Sequence, residues 1–444
     1  MATILEMMTA LQEEFSRSFL DAINENDPES IKKAKAKAWH CFLQLGLPAA
    51  GNEAFQYLHL QALFQQRFSQ VTVSQSVTRE SFASAILEEC RESYFVFVDG
   101  HFVPELSNRS GLPQSVVVLP MKQAARTYGA LLQNGWAQSL KEEQDPFAIL
   151  NLACYQDGCF LYVPPKVIVE KSVQFLHIIS AEAIEKKSWI MPRLELFQGM
   201  HSELTIANTL LWNGSGSCFY NGMSNITLEE GAHCTYLQDT LALGDTVGWF
   251  FDAVRATLKR SALLKNMHLS NGKALTRRSI HVELTGENSE VALRGISFLK
   301  ESREAHVDIM VRHEAPHTRS LQLFKHILTG KARASFQGKI YVEKEAQKTE
   351  AYQLNNNLLL SDQAESNSRP NLEIFADDVK ATHGATFGQL NEEQILYLQT
   401  RGISKQDAKK YLIMGFCKEV IDMLPIASLR QAALCHASRD IYIS

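Results

Sequence analysis

Val307-Asp308-Ile309-Met310-Val311-Arg312 puts Val307, Ile309 and Val311 on one side of an extended chain and Asp308 and Arg312 on the other. Ile280-His281-Val282-Glu283-Leu284 and Lys339-Ile340-Tyr341-Val342-Glu343 alternate in the same way. A period of two marks half-buried strands, because successive side chains leave a strand on opposite faces. The signal recurs from about 167 to 378, with few prolines and no convincing long helix. A sandwich, a barrel or a β-helix would each satisfy it, and no repeat of fixed length separates them.

The flanks read differently. Residues 1–90 are helical in pattern: Asp27-Pro28-Glu29 places an expected N-cap before a proline at the first helical position, and Gly46-Leu47-Pro48 closes the run from Ile31 to Leu45. Residues 91–165 are mixed, with a strand expected at 94–99 and helix at 121–144. Helical signals return at Asn391, where Asn391 and Gln394 fit a capping box with Leu390 and Ile395 as its staple. Gly402 ends that helix, and Ser404 with Asp407 opens a longer one that Pro425 interrupts. Its expected apolar face comprises Ala408, Tyr411, Leu412, Gly415, Phe416, Val420 and Met423. Four regions follow: 1–90 helical, 91–165 mixed, 166–388 β-rich and 389–444 helical.

Composition narrows the function classes. A chain of 444 residues, 45% of them hydrophobic, can bury a large core. The net charge of −5, with Lys and Arg interspersed among Asp and Glu, lacks the basic footprint of a nucleic-acid binder. No uncharged apolar stretch approaches the ~20 residues that span a bilayer. Glu6, Glu13 and Glu14 come too early for a secretory or transit leader, so a cytoplasmic location is expected, without membrane or nucleic-acid partners. In a reducing compartment the eight scattered cysteines read mostly as small buried residues.

Several motifs invite catalytic readings and fail on chemistry. His313-Glu314-Ala315-Pro316-His317 matches the H-E-x-x-H spelling of zinc proteases. That motif works only on a helix, where Pro316 would remove a hydrogen bond and clash with the preceding turn, so a turn between strands is expected. Cys154 and Cys159 have no second ligand pair at metal-binding spacing, and read as two thiols in a strand–turn segment. Gly272-Lys273 and Gly330-Lys331 are each followed by Ala and lack the upstream glycine of a P-loop, so no nucleotide is expected on this chain. Gly214-Ser215-Gly216 reads as a loop. The competing enzyme class is a β-helix carbohydrate-active protein of polysaccharide-lyase type, though neither secretion nor clustered Asp is evident.

The last third carries a longer pattern. Gly338-Lys-Ile-Tyr-Val-Glu343, Ala346-Gln-Lys-Thr-Glu-Ala-Tyr-Gln353 and Asn355-Asn-Asn-Leu-Leu-Leu-Ser361 are followed by Pro370-Asn-Leu-Glu-Ile-Phe-Ala-Asp-Asp-Val379. His383-Gly-Ala-Thr386, Gly388-Gln-Leu-Asn-Glu-Glu393 and Tyr397-Leu-Gln-Thr-Arg-Gly-Ile403 complete it. This run resembles the C-terminal signature of the SufB/SufD family of Fe–S cluster assembly scaffold proteins. Leu284-Thr-Gly-Glu287, Ala315-Pro-His-Thr-Arg-Ser320 and the N-terminal Gly46-Leu-Pro48, Asn52-Glu53 and Phe55-Gln-Tyr57 are similar to other parts of the family. Within it, Gly384 resembles the SufD branch, where SufB-type chains tend to carry Glu.

The resemblance implies a fold and a role. The fold is mainly β with flanking α: a right-handed parallel β-helix core between helical regions. The role is that of a non-catalytic subunit, which pairs with a SufB-like subunit and docks a SufC-like ATPase through its C-terminal helices. A transient Fe–S cluster shared with SufB is the implied cargo, and a homodimer of the isolated chain is compatible with the same surface. His383 matches the family's histidine at the SufB junction and is the candidate Fe–S ligand. A neutral imidazole binds iron and leaves more readily than thiolate, whereas a strand-end histidine satisfied by a backbone carbonyl is the plain alternative. Many SufD chains carry Cys two residues before this position; here Ala381 stands there, so no thiol comes from this strand. Tyr397, Arg401, Tyr411 and Phe416 are the candidate SufC-docking residues, since aromatic and Arg side chains often anchor interfaces.

Overall fold

The computed structural model describes residues 4–22, 27–48, 52–70, 73–214, 216–241, 248–272 and 275–439; Ser215 and Lys273 of the loop and glycine–lysine motifs lie outside them. The alternating segments wind into a parallel β-solenoid of about seven turns. Its coil strands are β1 (Arg193–Gln198), β2 (Glu203–Trp212), β3 (Phe219–Leu228), β4 (His233–Asp239), β5 (Trp249–Leu258), β6 (Leu263–Ser270) and β7 (Leu275–Leu284). They continue as β8 (Glu290–Leu299), β9 (Glu304–His313), β10 (Arg319–Leu328), β11 (Arg333–Val342), β12 (Thr349–Leu359), β13 (Glu365–Ile374) and β14 (Val379–Gly388). Odd-numbered strands pair in order in one sheet, even-numbered strands in the other.

In-register stacking turns each lumen position into a column. Leu228, Leu258 and Leu284 lie over one another, followed by His313 and Val342. All five are buried. Each leucine so enclosed contributes about 1.5–3 kcal/mol relative to exposure. His313 joins this apolar column because its Nδ1 meets Thr318 Oγ1 at 2.8 Å and its Nε2 meets Ser320 Oγ at 2.9 Å. The H-E-x-x-H spelling is therefore a core histidine and a corner between β9 and β10, as Pro316 requires.

That corner is one of a stack. His201, Gly231, Ser261, Asn288, His317 and Lys348 all take the left-handed conformation at the same corner of successive turns. Each sends its N–H to a carbonyl of the next corner, as in Ser261 to Glu287 at 2.9 Å and His317 to Gln347 at 2.9 Å. Gly231 needs its missing Cβ, which would otherwise collide with the His201 ring.

Turn length drifts. Trp249 pairs with Leu275, 26 residues on, whereas Ala334 pairs with Ser366, 32 residues on. Insertions are confined to the corners, so the solenoid repeats in space without a fixed repeat in sequence.

Helices cover both sheets. On the first lie α1 (Ile4–Ala22), α2 (Glu29–Leu45), α3 (Met121–Thr127), α4 (Gly129–Lys141) and α5 (Pro146–Cys154). Phe15, Phe42, Trp136 and Phe147 share one cluster there with Trp189, Phe219 and Phe251 of the sheet side. Gly46 closes α2 with φ 71°, donating its N–H to Phe42 O. Asp27, however, does not cap that helix: Pro28 occupies the cap position, and the buried Asp27 carboxylate lies 2.8 Å from Lys122 Nζ and 3.7 Å from Lys35 Nζ. Burial lowers the Lys35 pKa in spite of that carboxylate. Cys154 ends α5, and is not part of a strand–turn segment; Cys159 lies in the following strand, Gly158–Val163. Both thiols are fully buried and pushed up by burial, which suits core residues and not ligands.

Over the second sheet lie α6 (Glu392–Thr400), α7 (Lys405–Ile421) and α8 (Ala427–Ala437). Asn391 Oδ1 caps α6 through the N–H groups of Glu393 and Gln394, and Ser404 caps α7 through that of Asp407. Buried on α7 are Ala408 and Val420 of the expected stripe together with Ile413, Cys417 and Ile421, the last three and Val420 against Met267, Ile296 and Ile327. The rest of the expected stripe is rotated out: Tyr411 and Met423 face solvent, and Leu412 and Phe416 are half-buried. The sheet selects the aliphatic side of α7 over the aromatic one.

Candidate functional site

The solenoid ends unequally. At its start, the strands Gly158–Val163 and Val173–Ile179 pair with β1 and β2 and are covered in turn by Val117–Pro120 and Tyr94–Val98, on which His101–Phe102 folds back. At its end, β13 pairs only with β11 and β14 only with β12. Two strands of ten residues therefore present an unpaired backbone edge. Ten residues at about 3.3 Å each make an edge about 33 Å long.

Such edges template pairing unless they are guarded by charge, proline or short length. β13 carries three charges (Glu365, Arg369, Glu373) and Pro370, which has no N–H to offer. On β14 only Lys380 is charged among Val379-Lys-Ala-Thr-His-Gly-Ala-Thr-Phe-Gly388, and it pairs with Glu350 at 3.1 Å. The guarded and unguarded edges lie side by side at one mouth.

His383 is the fifth residue of β14. It pairs in register with Gln353, which is buried and bonded to Gln322 inside the lumen. His383 therefore belongs to a lumen-facing column and is exposed because no further turn covers it. Its imidazole has no hydrogen-bond partner among the described residues, so the backbone-satisfied alternative does not describe it. Ala381, Ala385 and Phe387 share its side of the strand, and Phe387 is 49% exposed. Across the mouth stand Ser366 and Ser368 of β13, placed by pairing with Ala334 and Phe336 of the core. Ser366 Oγ donates to Asn357 Oδ1 at 2.7 Å, and Asn357 Nδ2 donates to Thr386 O at 3.0 Å, tying the last turns together. Gln353, Ser368 and Phe387 were not singled out from the sequence; the polar run Asn355-Asn356-Asn357 inside a strand that ought to face a core was the available signal.

The four docking candidates lie elsewhere, on the helices over the second sheet. Tyr397 is exposed and Arg401 stacks on its ring at 5.2 Å, donating to its hydroxyl at 3.3 Å. Tyr411 is exposed on α7. Phe416 is half-buried: Lys325 Nζ sits 4.7 Å over its ring and donates to its carbonyl at 2.8 Å while meeting Glu419 at 2.6 Å. Phe416 thus anchors α7 to β10, while Leu396, Tyr397, Tyr411 and Met423 form the exposed apolar surface. The structure keeps His383 apart from this set, on a strand and not on the helices. Among the described residues no group of His, Cys, Asp and Glu is arranged to hold a metal ion by itself, and no helix is long and apolar enough to cross a membrane.

Comparison with known proteins assigns both halves. Residues 179–416 match the SUF system FeS cluster assembly SufBD core domain, and residues 9–175 match the SufBD protein N-terminal region. A SufBD family protein of Synechocystis is 31% identical over 366 residues, covering 79% of each chain. The Fe–S cluster assembly protein SufD of Escherichia coli is 28% identical, over 94% of this chain and 95% of its own. SufB of Bacillus subtilis is 22% identical, over 78% of this chain and 75% of its own. Neither matched domain is that of a carbohydrate-active protein, and the polysaccharide-lyase alternative has no support. The chain belongs to the SufBD family of the SUF system for Fe–S cluster assembly.

Proposed function

We propose that this chain is a SufD-like scaffold subunit that joins a SufB-like subunit strand to strand at the open end of its solenoid. The observation that carries the reading is the bare edge of β14 with the unpaired His383 at its centre. A strand added there would gain main-chain hydrogen bonds along the edge, and the neighbouring Phe387 and Phe375 would lose their exposure.

At such a junction His383 is the one metal-binding side chain that β14 offers to the cargo, a transient Fe–S cluster shared with the partner. Its neutral imidazole is the ligating form. With alanine at 381, the thiolates come from the partner. A SufC-like ATPase docks on the exposed face of α6 and α7, with Tyr397, Arg401 and Tyr411 as contacts and Phe416 behind them as a support. The chain itself turns nothing over and binds no nucleotide. Its setting is the cytoplasm, and the isolated chain can pair with a second copy through the same edge.

Co-expression with cognate SufB and SufC tests this. A stable complex is expected, and His383→Ala should leave it intact while lowering its iron and sulfide content. Failure of the chain to co-purify with either partner would end the proposal, and unchanged iron and sulfide in the variant would remove His383 from it.

A further inference from the structure

A histidine that ligates through one ring nitrogen works best when the other donates to a fixed acceptor, because that bond selects the tautomer and holds the ring. Two facts point to such an acceptor below His383. Gln353 is in register with it on the adjacent strand, about 4.8 Å away along the sheet, and in-register neighbours leave the sheet on the same side. Gln353 is also 3% exposed, and its Oε1 has no hydrogen-bond partner among the described residues.

One end of the amide is engaged. Its Nε2 donates to Gln322 Oε1 at 2.8 Å, so the carbonyl end is the one left over. The side chain also reaches across the lumen to β11, where a Cβ on Gly338 would collide with Nε2. A buried carbonyl oxygen without a partner has lost its water and gained nothing in return, which makes it a strong acceptor for any donor that comes within reach. The nearest rung on its open side is His383. Across the mouth, Ser368 Oγ is also buried and unpartnered, but a hydroxyl can rotate to donate or accept and fixes no tautomer by itself.

We infer that Gln353 is a positioning residue for His383: its Oε1 accepts the lumen-side ring N–H and leaves the opposite nitrogen bare, facing the partner. Gln322 acts through Gln353 by holding its amide. The inference deepens the reading of His383 as a cluster ligand and rests on it for its purpose, but the proposed hydrogen bond needs only side chains of this chain, so it is tested without iron or partner.

The test is nitrogen NMR of the full chain with 15N-labelled histidine, at alkaline pH where the imidazole is neutral, with His383→Ala for assignment. A net hydrogen bond of about 1 kcal/mol supports a roughly five-fold tautomer bias. Gln353→Leu should therefore change the His383 tautomer ratio by roughly five-fold, and Gln353→Glu, which keeps an acceptor, should hold it near the original. Ser368→Ala should leave it alone. A ratio indifferent to Gln353→Leu in a folded protein, or one that moves with Ser368→Ala instead, overturns the assignment. Should Gln353→Leu not fold, Gln322→Leu takes its place, freeing the Gln353 amide to turn, and an unmoved ratio there is equally fatal. Loss of the tautomer bias with a normal cluster yield would count against the ligand reading alone.

Discussion

Asp145 ties the helices over the first sheet to the solenoid, and removing its charge should weaken that bond by a calculable amount. Its carboxylate caps α5 through Phe147 N at 3.0 Å, is ion-paired with Arg277, and lies 3.8 Å from Arg255. Burial alone would raise its pKa, but Arg277 and Arg255 reverse that and hold it at about 2, from 3.8. At 1.36 kcal/mol per unit, this is on the order of 2 kcal/mol of stability at neutral pH. Breaking a buried pair typically costs 3–5 kcal/mol because the survivor is stranded. Here Arg277 keeps Asp308 at 3.2 Å and Arg255 keeps Glu143 at 2.6 Å, so the lower figure governs. Asp145→Asn, which retains a capping oxygen, should cost about 2–3 kcal/mol, and Asp145→Ala about 1 more for the lost cap.

The pH dependence has a definite sign. A depressed carboxylate pKa contributes stability that is complete above 3.8 and fades as pH falls through about 2. Urea unfolding followed by the fluorescence of the buried Trp136, Trp189 and Trp249 reads this directly. The gap between wild type and Asp145→Asn should be widest near neutrality and close in acid. A variant as stable as wild type at neutral pH, or a gap that does not narrow, would refute the account.

Three further perturbations separate features of the fold. Glu89 accepts from Ser428 N at 2.9 Å and Ser428 Oγ at 2.6 Å; burial would raise its pKa, and these bonds lower it instead. Glu89→Ala should therefore cost about 1 kcal/mol and speed proteolysis within α8, and the wild-type contact should fade as pH drops below 4.5. Burial pushes the His326 pKa down to about 3, and neither ring nitrogen has a partner among the described residues, so His326→Leu should be neutral or stabilising by about 1 kcal/mol in urea unfolding. Ala385→Pro on the bare edge should abolish co-purification with a SufB-like partner while lowering the melting temperature of the isolated chain by only a few degrees; retained pairing would move the junction elsewhere.

What could be read in advance depended on distance along the chain. Asn391, Ser404, Gly46 and Pro316 act within a few residues, and their local chemistry announced the caps, the stop and the failed zinc motif. Asp27 misled because its partner Lys122 is far away in sequence and outcompeted the nearby backbone. The stripe on α7 misled because Tyr411 and Phe416 are apolar enough to be core, and only the sheet beneath shows that Ile413 and Cys417 are. The solenoid itself escaped pattern reading, since side chains that touch lie 26 to 32 residues apart at drifting intervals. Gln353 beneath His383 is such a pair. The resemblance in 338–403 supplied the architecture that alternation could not.

A stack whose rungs touch only their neighbours divides its stability unevenly. An interior rung is braced above and below, whereas the rung formed by β13 and β14 is braced on one side alone. Hydrogen exchange should therefore be fastest there in the solitary chain and slow sharply once a companion is seated. Assembly would then be the final step of folding, and the histidine on that rung would come to rest only when there is something for it to hold.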